Sequence, residues 1–468
     1  MLARLSDRLA AFFRATAPDP FVIAVLITAA TFALALALTD TTPASLLDAW
    51  SGASGVFGKD GLWRLMAFSM QMCLILVTGA ALAESKPVSA ALSALAATPR
   101  TPAQAVALVA FVACALGLLN WGLGLVAGAI IARRVGIAMA RRGTRVHYPL
   151  LAAAGYMGLL VWHGGLSGTA PLKVTTSAGL AETLGAAAAN LDPIPLTRTI
   201  FSPLNLIVTG GLLIIIPAAL ALMHPRRDIH SADQFIDCSP PSPPPEPSEK
   251  TPLIPRILEE TPIANLILIA LIGWWAWRYY LPGGVLNDPS LSGITRLTPD
   301  SVNLTMLLIG LVLHGTPRRY LAAVDEAVKG CGGIIIQFPL YAGIMSMMDS
   351  SGLTIVLANT ISANANASTL PLLTLFAATL VGFFIPSGGA QWAVQGPVAI
   401  QSGSALGVDP GSLVMAVAYG DQLANMPQPF WALPLLAITQ VKARELIGYT
   451  VIIMFIALAW TSIWIYLL

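Results

Sequence analysis

Charge is scarce in this chain of 468 residues. Only 10% of the residues are charged, whereas 56% are hydrophobic and the mean hydropathy is +0.75. So few charges cannot cover a globular protein in water, which excludes the water-soluble classes. Apolar segments of about 18 to 24 residues recur instead, as the roughly 30 Å hydrocarbon layer of a membrane requires of a spanning helix. The composition predicts an all-α polytopic membrane protein, surrounded by lipid and without a nucleic-acid partner.

Cysteine is equally sparse, and its spacing excludes two kinds of site. The four cysteines stand far apart, without a CxxC pair or a nearby His cluster: Cys73, Cys114, Cys238 and Cys331. Neither a metal site nor a disulfide framework is indicated, and we expect packing roles for these thiols. No cofactor is predicted apart from a coupling ion, H⁺ or Na⁺.

The N-terminus lacks the features of a cleaved signal peptide. Residues 1–14, MLARLSDRLAAFFR, place Arg4, Arg8 and Arg14 beside an apolar stripe, which predicts a short interfacial helix at the cytoplasmic face. The apolar run that follows is long enough to span a membrane, and no convincing small-residue cleavage motif follows it. We therefore expect the N-terminus in the cytoplasm.

One long polar stretch, residues 225–259, divides the chain and is rich in Pro, Ser and charge. Its prolines favour an extended, poorly packed linker, and Arg226 and Arg227 place it in the cytoplasm. The predicted organisation is an N-terminal membrane repeat over 1–224, the linker over 225–259 and a C-terminal membrane repeat over 260–468.

Nine crossings are predicted from the distribution of Lys and Arg, with the N-terminus inside and the C-terminus outside. Seven of them are unbroken segments: 21–38, 65–84, 200–223, 262–281, 302–315, 330–348 and 446–468. The other two, 148–189 and 411–440, carry polar interruptions: WHGGLSGTAP (162–171) and GDQLANMPQP (420–429). Glycine and proline defeat a regular helix there, so each segment is interpreted as two half-helices around an unwound middle.

A re-entrant hairpin is predicted over 104–133, with the sequence NWGLG at its tip. Lys86 and Arg100 precede it in the cytoplasm, and five arginines lie at or just after its end: Arg133, Arg134, Arg141, Arg142 and Arg145. The segment must therefore enter and leave on one side, and each arm of about 12 to 15 residues spans only roughly 18 to 22 Å, too short to cross. One long tilted helix with a Gly kink is the alternative.

The second half repeats this order in the opposite orientation. Its hairpin covers 370–402 around PSGGAQW (386–392), and MQMCLILVTG (70–79) is matched by IQFPLYAGIM (336–345). Inverted repeats of this kind are typical of secondary transporters, whose site forms near the membrane midplane from discontinuous helices. Chance similarity between apolar strings is the alternative.

The interruptions supply the candidate binding residues. Non-helical backbone at membrane depth survives only inside protein or beside a cavity, and half-helix N-termini favour a carboxylate. The predicted substrate-binding residues are Asn120, Trp121, Gly122, Gly164, Gly165, Ser167, Gly168, Thr169, Ser387, Gly388, Gly389, Gln391, Trp392, Asn425 and Gln428. Four aromatic residues can wall an apolar tail: Trp121, Trp162, Trp392 and Phe430. Because no arginine lies in the interruptions, a monocarboxylate is favoured over a dicarboxylate.

One acid, Asp421, lies in an interruption. Such a group is a functional candidate: it could carry a coupling proton, ligate a coupling Na⁺ or only accept hydrogen bonds from unwound backbone. A lone histidine is more often a satisfied packing group, so His163 is interpreted that way. Lys173 is expected to pack its long stem.

Five motifs carry a resemblance to a known family: NWGLGLVAGA (120–129), WHGGLSGTAPL (162–172), QFPLYAGI (337–344), IPSGGAQWAVQGP (385–397) and MAVAYGDQLANMPQPFWALP (415–434). With them the chain resembles the bacterial short-chain fatty acid transporter family, from DPFVIAVLIT (19–28) to the closing span. The resemblance implies uptake of short-chain fatty acids such as butyrate or acetoacetate by a secondary mechanism in the bacterial inner membrane. It also implies kinship with the ion transporter superfamily.

That kinship carries expectations about architecture and residues. A mobile transport domain, here 65–190 and 330–440, would move against a scaffold in an elevator mechanism, and the scaffold would form a homodimer. The family's Asn-Trp-Gly tip falls on 120–122, its Ser-Gly-Gly hairpin on 387–389 and its Gln-Trp pair on 391–392. Asp421 takes the place of the acid in the family's Tyr-Gly-acid motif, and His163 stands where a glycine is expected.

Two other functions are compatible with parts of the sequence. The string GLSG (165–168), with His163 four residues before Ser167, is like that of intramembrane serine hydrolases. Nucleophilic catalysis needs an oriented base within hydrogen-bond reach, and the intervening glycines disrupt that geometry, so an enzyme is not expected. An anion channel is the second alternative.

Overall fold

The computed structural model describes residues 2–53, 60–184, 191–225, 227–239, 252–281, 298–362 and 365–468, and the regular secondary structure within these ranges is entirely helical. The α-helices that precede the predicted linker are α1 (Leu2–Thr16), α2 (Pro20–Leu38), α3 (Pro43–Ser51), α4 (Met66–Glu84), α5 (Lys86–Ala96), α6 (Pro102–Leu119), α7 (Trp121–Arg141), α8 (Tyr148–Tyr156), α9 (Thr169–Lys173), α10 (Ser177–Leu184) and α11 (Pro203–Leu222).

The remaining α-helices begin at the end of the linker. They are α12 (Leu253–Glu260), α13 (Ile263–Tyr280), α14 (Pro299–His314), α15 (Pro317–Ala327), α16 (Gly332–Ser351), α17 (Leu353–Ser362), α18 (Leu370–Phe384), α19 (Gly388–Leu406), α20 (Pro410–Ala424), α21 (Leu433–Thr439) and α22 (Ala443–Leu467).

A Ser, Thr or Asp followed by proline starts many of these helices. In α6, for example, Thr101 accepts from the backbone N–H of Gln104 and Pro102 occupies the first helical position. Proline fits there because its missing N–H would be unpaired in any case, while the hydroxyl satisfies an N–H that has no intrahelical partner. Six further helices begin in the same way, after Asp19, Thr42, Ser202, Thr298, Thr316 and Asp409.

Nine helical segments in the described ranges are long and apolar enough to cross a membrane. The chain is therefore a multi-pass membrane protein. The number equals that of the predicted crossings, but the two sets differ. Both α6 and α7 qualify by length, whereas α14 and α20, with 16 and 15 residues, are shorter than a typical span.

The chain reverses direction at Asn120, between α6 and α7. A Cβ on Gly124 would lie 2.5 Å from the Cα of Gly117, and at the open end Arg142 donates to the carbonyls of Ala97 and Pro99. The reversal into a helical hairpin is thus confirmed, and a single kinked helix is wrong, whereas the re-entrant placement of this hairpin in the membrane stays a prediction. The predicted arm length is also wrong: 18 and 21 residues correspond to about 27 and 32 Å.

The second hairpin is formed by α18 and α19, which meet where Gln391 donates to the carbonyl of Ala378 at 2.7 Å. The interruption between them covers only residues 385–387, because α19 begins at Gly388. Gln391 and Trp392 therefore lie in the first turns of α19, outside the interruption in which the sequence analysis placed them.

Both broken spans are interrupted, over residues that overlap the predicted stretches without coinciding with them. In the first, α8 ends at Tyr156 and 3₁₀ turns over Met157–Leu160 and Trp162–Gly164 precede the extended residue Gly165. In the second, α20 continues to Ala424, and the interruption runs over 425–432. Asp421 thus lies in the last turn of α20 and not in unwound backbone.

The first part of the predicted linker packs on the base of the first hairpin. Arg141 donates to the carbonyls of Cys238 and Ser239, and Arg145 donates to that of Ile229. Ile236 is buried. The prediction of poor packing is therefore wrong for this part, whereas residues 226 and 240–251 of the predicted linker lie outside the described residues.

Glycines bring the first hairpin and the first broken span into backbone contact. A Cβ on Gly128 of α7 would lie 2.1 Å from the carbonyl oxygen of Gly155 in α8, and one on Gly117 would lie 2.5 Å from that of Gly158. Small residues allow such close approach between helices that have little hydrophobic driving force within lipid. This contact fixes the hairpin tip against the interruption that follows α8.

Gly128→Ala should lower the stability of the folded protein by about 1 to 3 kcal/mol, because backbone must move to admit the methyl group. Gly210→Ala in α11 is the matched control, since a Cβ there meets nothing within 4 Å. The melting temperatures of both variants in detergent test this. Equal melting temperatures would show that the contact between α7 and α8 tolerates expansion.

Candidate functional site

The tip of the first hairpin is capped by side chains. The Asn120 Oδ1 atom accepts from the N–H groups of Gly122 at 2.9 Å and Leu123 at 3.2 Å. The Ser167 Oγ atom accepts from the N–H of Trp121 at 3.0 Å. The start of α7 is therefore hydrogen-bonded within the protein, and the free N–H groups that the sequence analysis expected at this tip are not present.

The first interruption is attached to this tip by main chain. Leu166 N–H donates to the carbonyl of Leu118 at 2.7 Å, and a Cβ on Gly165 would lie 2.4 Å from the same oxygen. Gly164 faces α11 instead, because its carbonyl accepts from Asn205 at 2.8 Å. The structure thus gives Gly164 and Gly165 packing contacts, although both were predicted to bind substrate.

The tip of the second hairpin lies against the first interruption and α20. A Cβ on Gly388 would lie 2.6 Å from Cε1 of His163 and 3.3 Å from Oδ2 of Asp421. A Cβ on Gly389 would lie 3.4 Å from Cγ2 of Thr169. Glycine therefore lets the N-terminal end of α19 approach these side chains closely.

This helix end is less completely capped than that of α7. Ser387 accepts from the N–H of Ala390 at 3.4 Å, a long hydrogen bond. Within the ranges that the structure describes, the N–H groups of Gly388 and Gly389 are hydrogen-bonded to no acceptor. Unpaired N–H groups and the positive end of the helix dipole make the start of α19 the better of the two hairpin tips for an anion.

A buried histidine and aspartate meet beside this tip. The Nδ1 atom of His163 lies 3.0 Å from Oδ2 of Asp421, and the two residues are 0% and 2% exposed. The Nε2 atom of His163 accepts from the backbone N–H of Ala170 at 3.2 Å. Because a backbone N–H can only donate, Nε2 carries no proton, and the pattern assigns a neutral imidazole whose Nδ1–H donates to Asp421.

His163 is the functional candidate that the sequence analysis missed. It was interpreted as a packing group, and its ring does stack on that of Trp162 at 4.2 Å between centroids. Its contact with Asp421 follows from the packing of the first interruption on α20. The available signal was the presence of one titratable residue in each of two segments predicted to unwind at the same depth.

The second interruption contributes buried amides. Tyr156 donates to the carbonyl of Asn425 at 2.9 Å, and Gln428 donates to the carbonyl of Phe383 at 2.7 Å. The buried polar atoms that have no hydrogen-bond partner among the described residues include Nδ2 of Asn425, Oε1 of Gln428 and Oε1 of Gln391. Such atoms are costly in a protein interior, at about 1 to 3 kcal/mol each.

An aromatic cluster joins the first hairpin tip to the second interruption. The Trp121 ring lies 5.1 Å from that of Trp431, which lies 5.0 Å from that of Phe430. Phe68 and Phe338 complete the group through Trp431 and Phe430, respectively. Trp121 and Phe430 were both predicted to wall an apolar tail, and they belong to one aromatic cluster.

The other two predicted wall residues lie elsewhere. Trp162 stacks on His163, and Trp392 is fully buried in a separate apolar cluster with Ala170 and Leu413. Among the predicted polar residues, Ser167, Thr169 and Ser387 are partly exposed, whereas the following are buried: Asn120, Gln391, Asp421, Asn425 and Gln428. The accessible part of the site therefore consists of hydroxyl groups and hairpin-tip glycine.

The hydrolase alternative gains no support from this geometry. Both ring nitrogens of His163 are hydrogen-bonded to groups other than Ser167, namely Asp421 and Ala170. Ser167 uses its oxygen to cap α7. Within the described ranges, no group of three or more His, Cys, Asp or Glu side chains could hold a metal ion.

These hairpins and broken helices define a helical, multi-pass membrane protein of the transporter class. A sequence profile of the short chain fatty acid transporter family matches residues 1–468, and the chain belongs to this family. Two relatives are named "Putative short-chain fatty acid transporter". The Escherichia coli K12 protein is 39% identical over 460 residues, and the Haemophilus influenzae Rd protein is 37% identical over 456; each match covers 96% of both chains.

Two solved structures are similar over nearly the whole chain. The Alcanivorax borkumensis YdaH transporter is 17% identical, with a TM-score of 0.42 and coverage of 96% of this chain and 97% of that one. The Neisseria gonorrhoeae protein MtrF, described as illuminating a class of antimetabolite efflux pumps, is also 17% identical, with a TM-score of 0.39 and coverage of 98% and 96%.

The contact between His163 and Asp421 can be measured by a double-mutant cycle. His163→Ala and Asp421→Ala should each destabilise the protein by about 1 to 3 kcal/mol, because each leaves a buried partner unsatisfied. The double variant should depart from additivity by about 0.5 to 3 kcal/mol. Unfolding free energies from detergent titration provide the numbers. His163→Ala combined with Asp48→Ala, an exposed residue of α3, should be additive, and additivity in both cycles would contradict a direct contact.

Proposed function

We propose that this protein is a secondary active transporter of short-chain fatty acids, small monocarboxylates such as butyrate or acetoacetate, coupled to H⁺ or Na⁺. The observation that carries the proposal is the meeting of two hairpin tips and two broken helices around the pair His163 and Asp421. Discontinuous helices of this kind form the binding sites of secondary transporters.

The carboxylate group is proposed to bind at the start of α19. The N–H groups of Gly388 and Gly389 would donate to it, together with the hydroxyl groups of Ser167, Thr169 and Ser387. No arginine belongs to this set, which suits a single carboxylate rather than two. The apolar tail would lie against Trp121 and the aromatic cluster beside it. The other predicted substrate-binding residues would pack behind these groups and hold them in position.

Coupling is proposed to reside in Asp421. An ionised Asp421 lies beside the same helix end as the substrate carboxylate and would repel it, since both carry negative charge. A proton or Na⁺ bound at Asp421 removes this repulsion and lets the substrate bind. By linkage, the substrate then raises the affinity for the cation to the same degree, which is what symport requires.

The transport cycle is proposed to be alternating access. A bundle over 65–190 and 330–440, which contains both hairpins, would move as an elevator against a scaffold formed by the other spans. The expected setting is a homodimer in the bacterial inner membrane with the N-terminus in the cytoplasm, since basic residues gather at one end of the first hairpin. A channel is distinguished by counterflow, which only a carrier supports.

Reconstituted protein should accumulate labelled butyrate when a Na⁺ or proton gradient is imposed. Asp421→Asn should abolish gradient-driven accumulation, because the amide cannot bind the cation as a carboxylate does, while exchange of butyrate across the membrane persists. Asp48→Asn is the control and should behave as wild type. Gradient dependence that survives in Asp421→Asn would rule out the coupling role, and wild-type flux without counterflow would indicate a channel.

Trp121→Ala should weaken the binding of butyrate much more than that of acetate. Butyrate has two additional methylene groups, worth up to about 1.6 kcal/mol when buried, so its KM should rise about 10-fold relative to that of acetate. Trp274→Ala removes an exposed indole on α13 and should leave the ratio unchanged. Uptake kinetics with both acids provide the measurement, and equal effects on both KM values would place the tail elsewhere.

A further inference from the structure

A large cavity of about 1560 Å³ opens on the side of the molecule that carries the arginines. It lies between α4, α7, α15, α16 and α21 and reaches the start of α22. Eight Lys or Arg side chains line it against four Asp or Glu, a net charge of +4, although the whole chain carries only +2. The cavity thus concentrates positive charge that the rest of the chain balances.

Only some of these cations are neutralised. Arg134 pairs with Glu84, and Arg318 pairs with Glu260. By contrast, the side chains of three exposed residues make no ion pair or hydrogen bond within the described ranges: Arg319 in α15, and Lys442 and Arg444 at the start of α22. These three cations are free to act on an ion that enters the cavity.

Two residues that line the cavity are neighbours in sequence of the aromatic cluster. Gln337 lines the cavity, and its buried Oε1 atom has no hydrogen-bond partner among the described residues. The next residue, Phe338, stacks on Phe430 at 4.1 Å between centroids, and Leu433, two residues after Trp431, also lines the cavity. The cavity wall therefore includes residues within one or two positions of the aromatic cluster along the chain, although no ring of that cluster lines the cavity.

Topology alone does not account for this arrangement. Lys and Arg gather on the cytoplasmic side of membrane proteins in general, which explains the side on which these residues lie but not why eight of them line one cavity. The volume also exceeds the roughly 300 to 1,000 Å³ of pockets that enclose a drug-sized ligand. The cavity suits an aqueous chamber better than a closely fitted site.

We infer that this cavity is an anion-concentrating chamber, through which the carboxylate substrate passes between the cytoplasm and the hairpin site. The inference rests on the proposed function. Concave walls of low dielectric focus the field of the unpaired cations and raise the local concentration of anions, with effects on association rates of about 10- to 1,000-fold. Salt weakens this attraction, since the Debye length falls from about 30 Å at 0.01 M to about 3 Å at 1 M.

The attraction of anions into the cavity can be tested without measuring transport. In a full-length chain whose four native cysteines are replaced by alanine, Ala322→Cys places a thiol on the wall of the cavity, at an exposed position. The probes are an anionic and a cationic methanethiosulfonate. The measured quantity is the reaction rate of the anionic reagent divided by that of the cationic reagent. At about 10 mM ionic strength, this ratio should fall about 10-fold when Arg319, Lys442 and Arg444 are all changed to Gln.

The matched control removes three exposed cations that do not line the cavity: Arg8, Arg100 and Arg227, each changed to Gln. It should leave the ratio within twofold of that of the parent, and 1 M salt should abolish the difference between the two triple variants. Equal ratios at low salt would overturn the inference. If the cavity triple fails to fold, Arg319→Gln alone should still lower the ratio about twofold, and no change there would be equally decisive.

The passage of substrate through the cavity is tested with the same variants in proteoliposomes. Neutralising the three cavity cations should raise the KM for butyrate about 3- to 10-fold on the cavity side at low salt, with kcat and the KM on the opposite side unchanged. Unchanged KM values with a lowered reagent ratio would show that the cavity attracts anions but does not lie on the substrate route. Absence of butyrate transport by the wild-type protein would instead defeat the proposed function.

Discussion

The structure depends on one constraint: main-chain polar groups that leave a helix inside an apolar protein must find partners in another element. The carbonyl of Leu118 at the end of α6 accepts from Leu166 in the first interruption. The carbonyl of Phe383 at the end of α18 accepts from Gln428 in the second. Each hairpin end is thus completed by an interruption, so the two kinds of feature must lie together.

The pairing of hairpin ends with interruptions determines where the candidate functional groups lie. Because the first interruption is held on the first hairpin, His163 is carried towards α20, where it meets Asp421 at 3.0 Å. Gly388 then brings the start of α19 against both side chains. His163, Asp421 and the start of α19 therefore lie together, although they come from three segments that are distant in sequence. The start of α19 is also the less completely capped of the two hairpin tips.

The sequence predicts the presence of the hairpins and interruptions better than the residues at which they begin and end. The reversal at Asn120 and the unwinding near 162–171 follow from Gly, Pro and charge placement. Asp421 was wrongly assigned to unwound backbone, because Gly420 resembles a breaker, yet tertiary packing holds α20 helical to Ala424. The contact between His163 and Asp421 depends on how separate segments pack, and no local pattern encodes that. Likewise, the capping of α7 by Ser167 requires a partner 46 residues away.

In the proposed mechanism, the closeness of Asp421 to the start of α19 would set the size of the coupling effect. Two carboxylates about 5 Å apart repel by roughly 3 kcal/mol at the effective dielectric of 20 that describes most protein sites. This corresponds to about a hundredfold difference in substrate affinity between the ionised and neutralised states of Asp421, within the range of known allosteric couplings. The proposed step would need no large rearrangement, because the same helix end could stabilise either the carboxylate of Asp421 or that of the substrate. In the proposed cycle, the conformational change would then serve only to exchange the site between the two sides of the membrane.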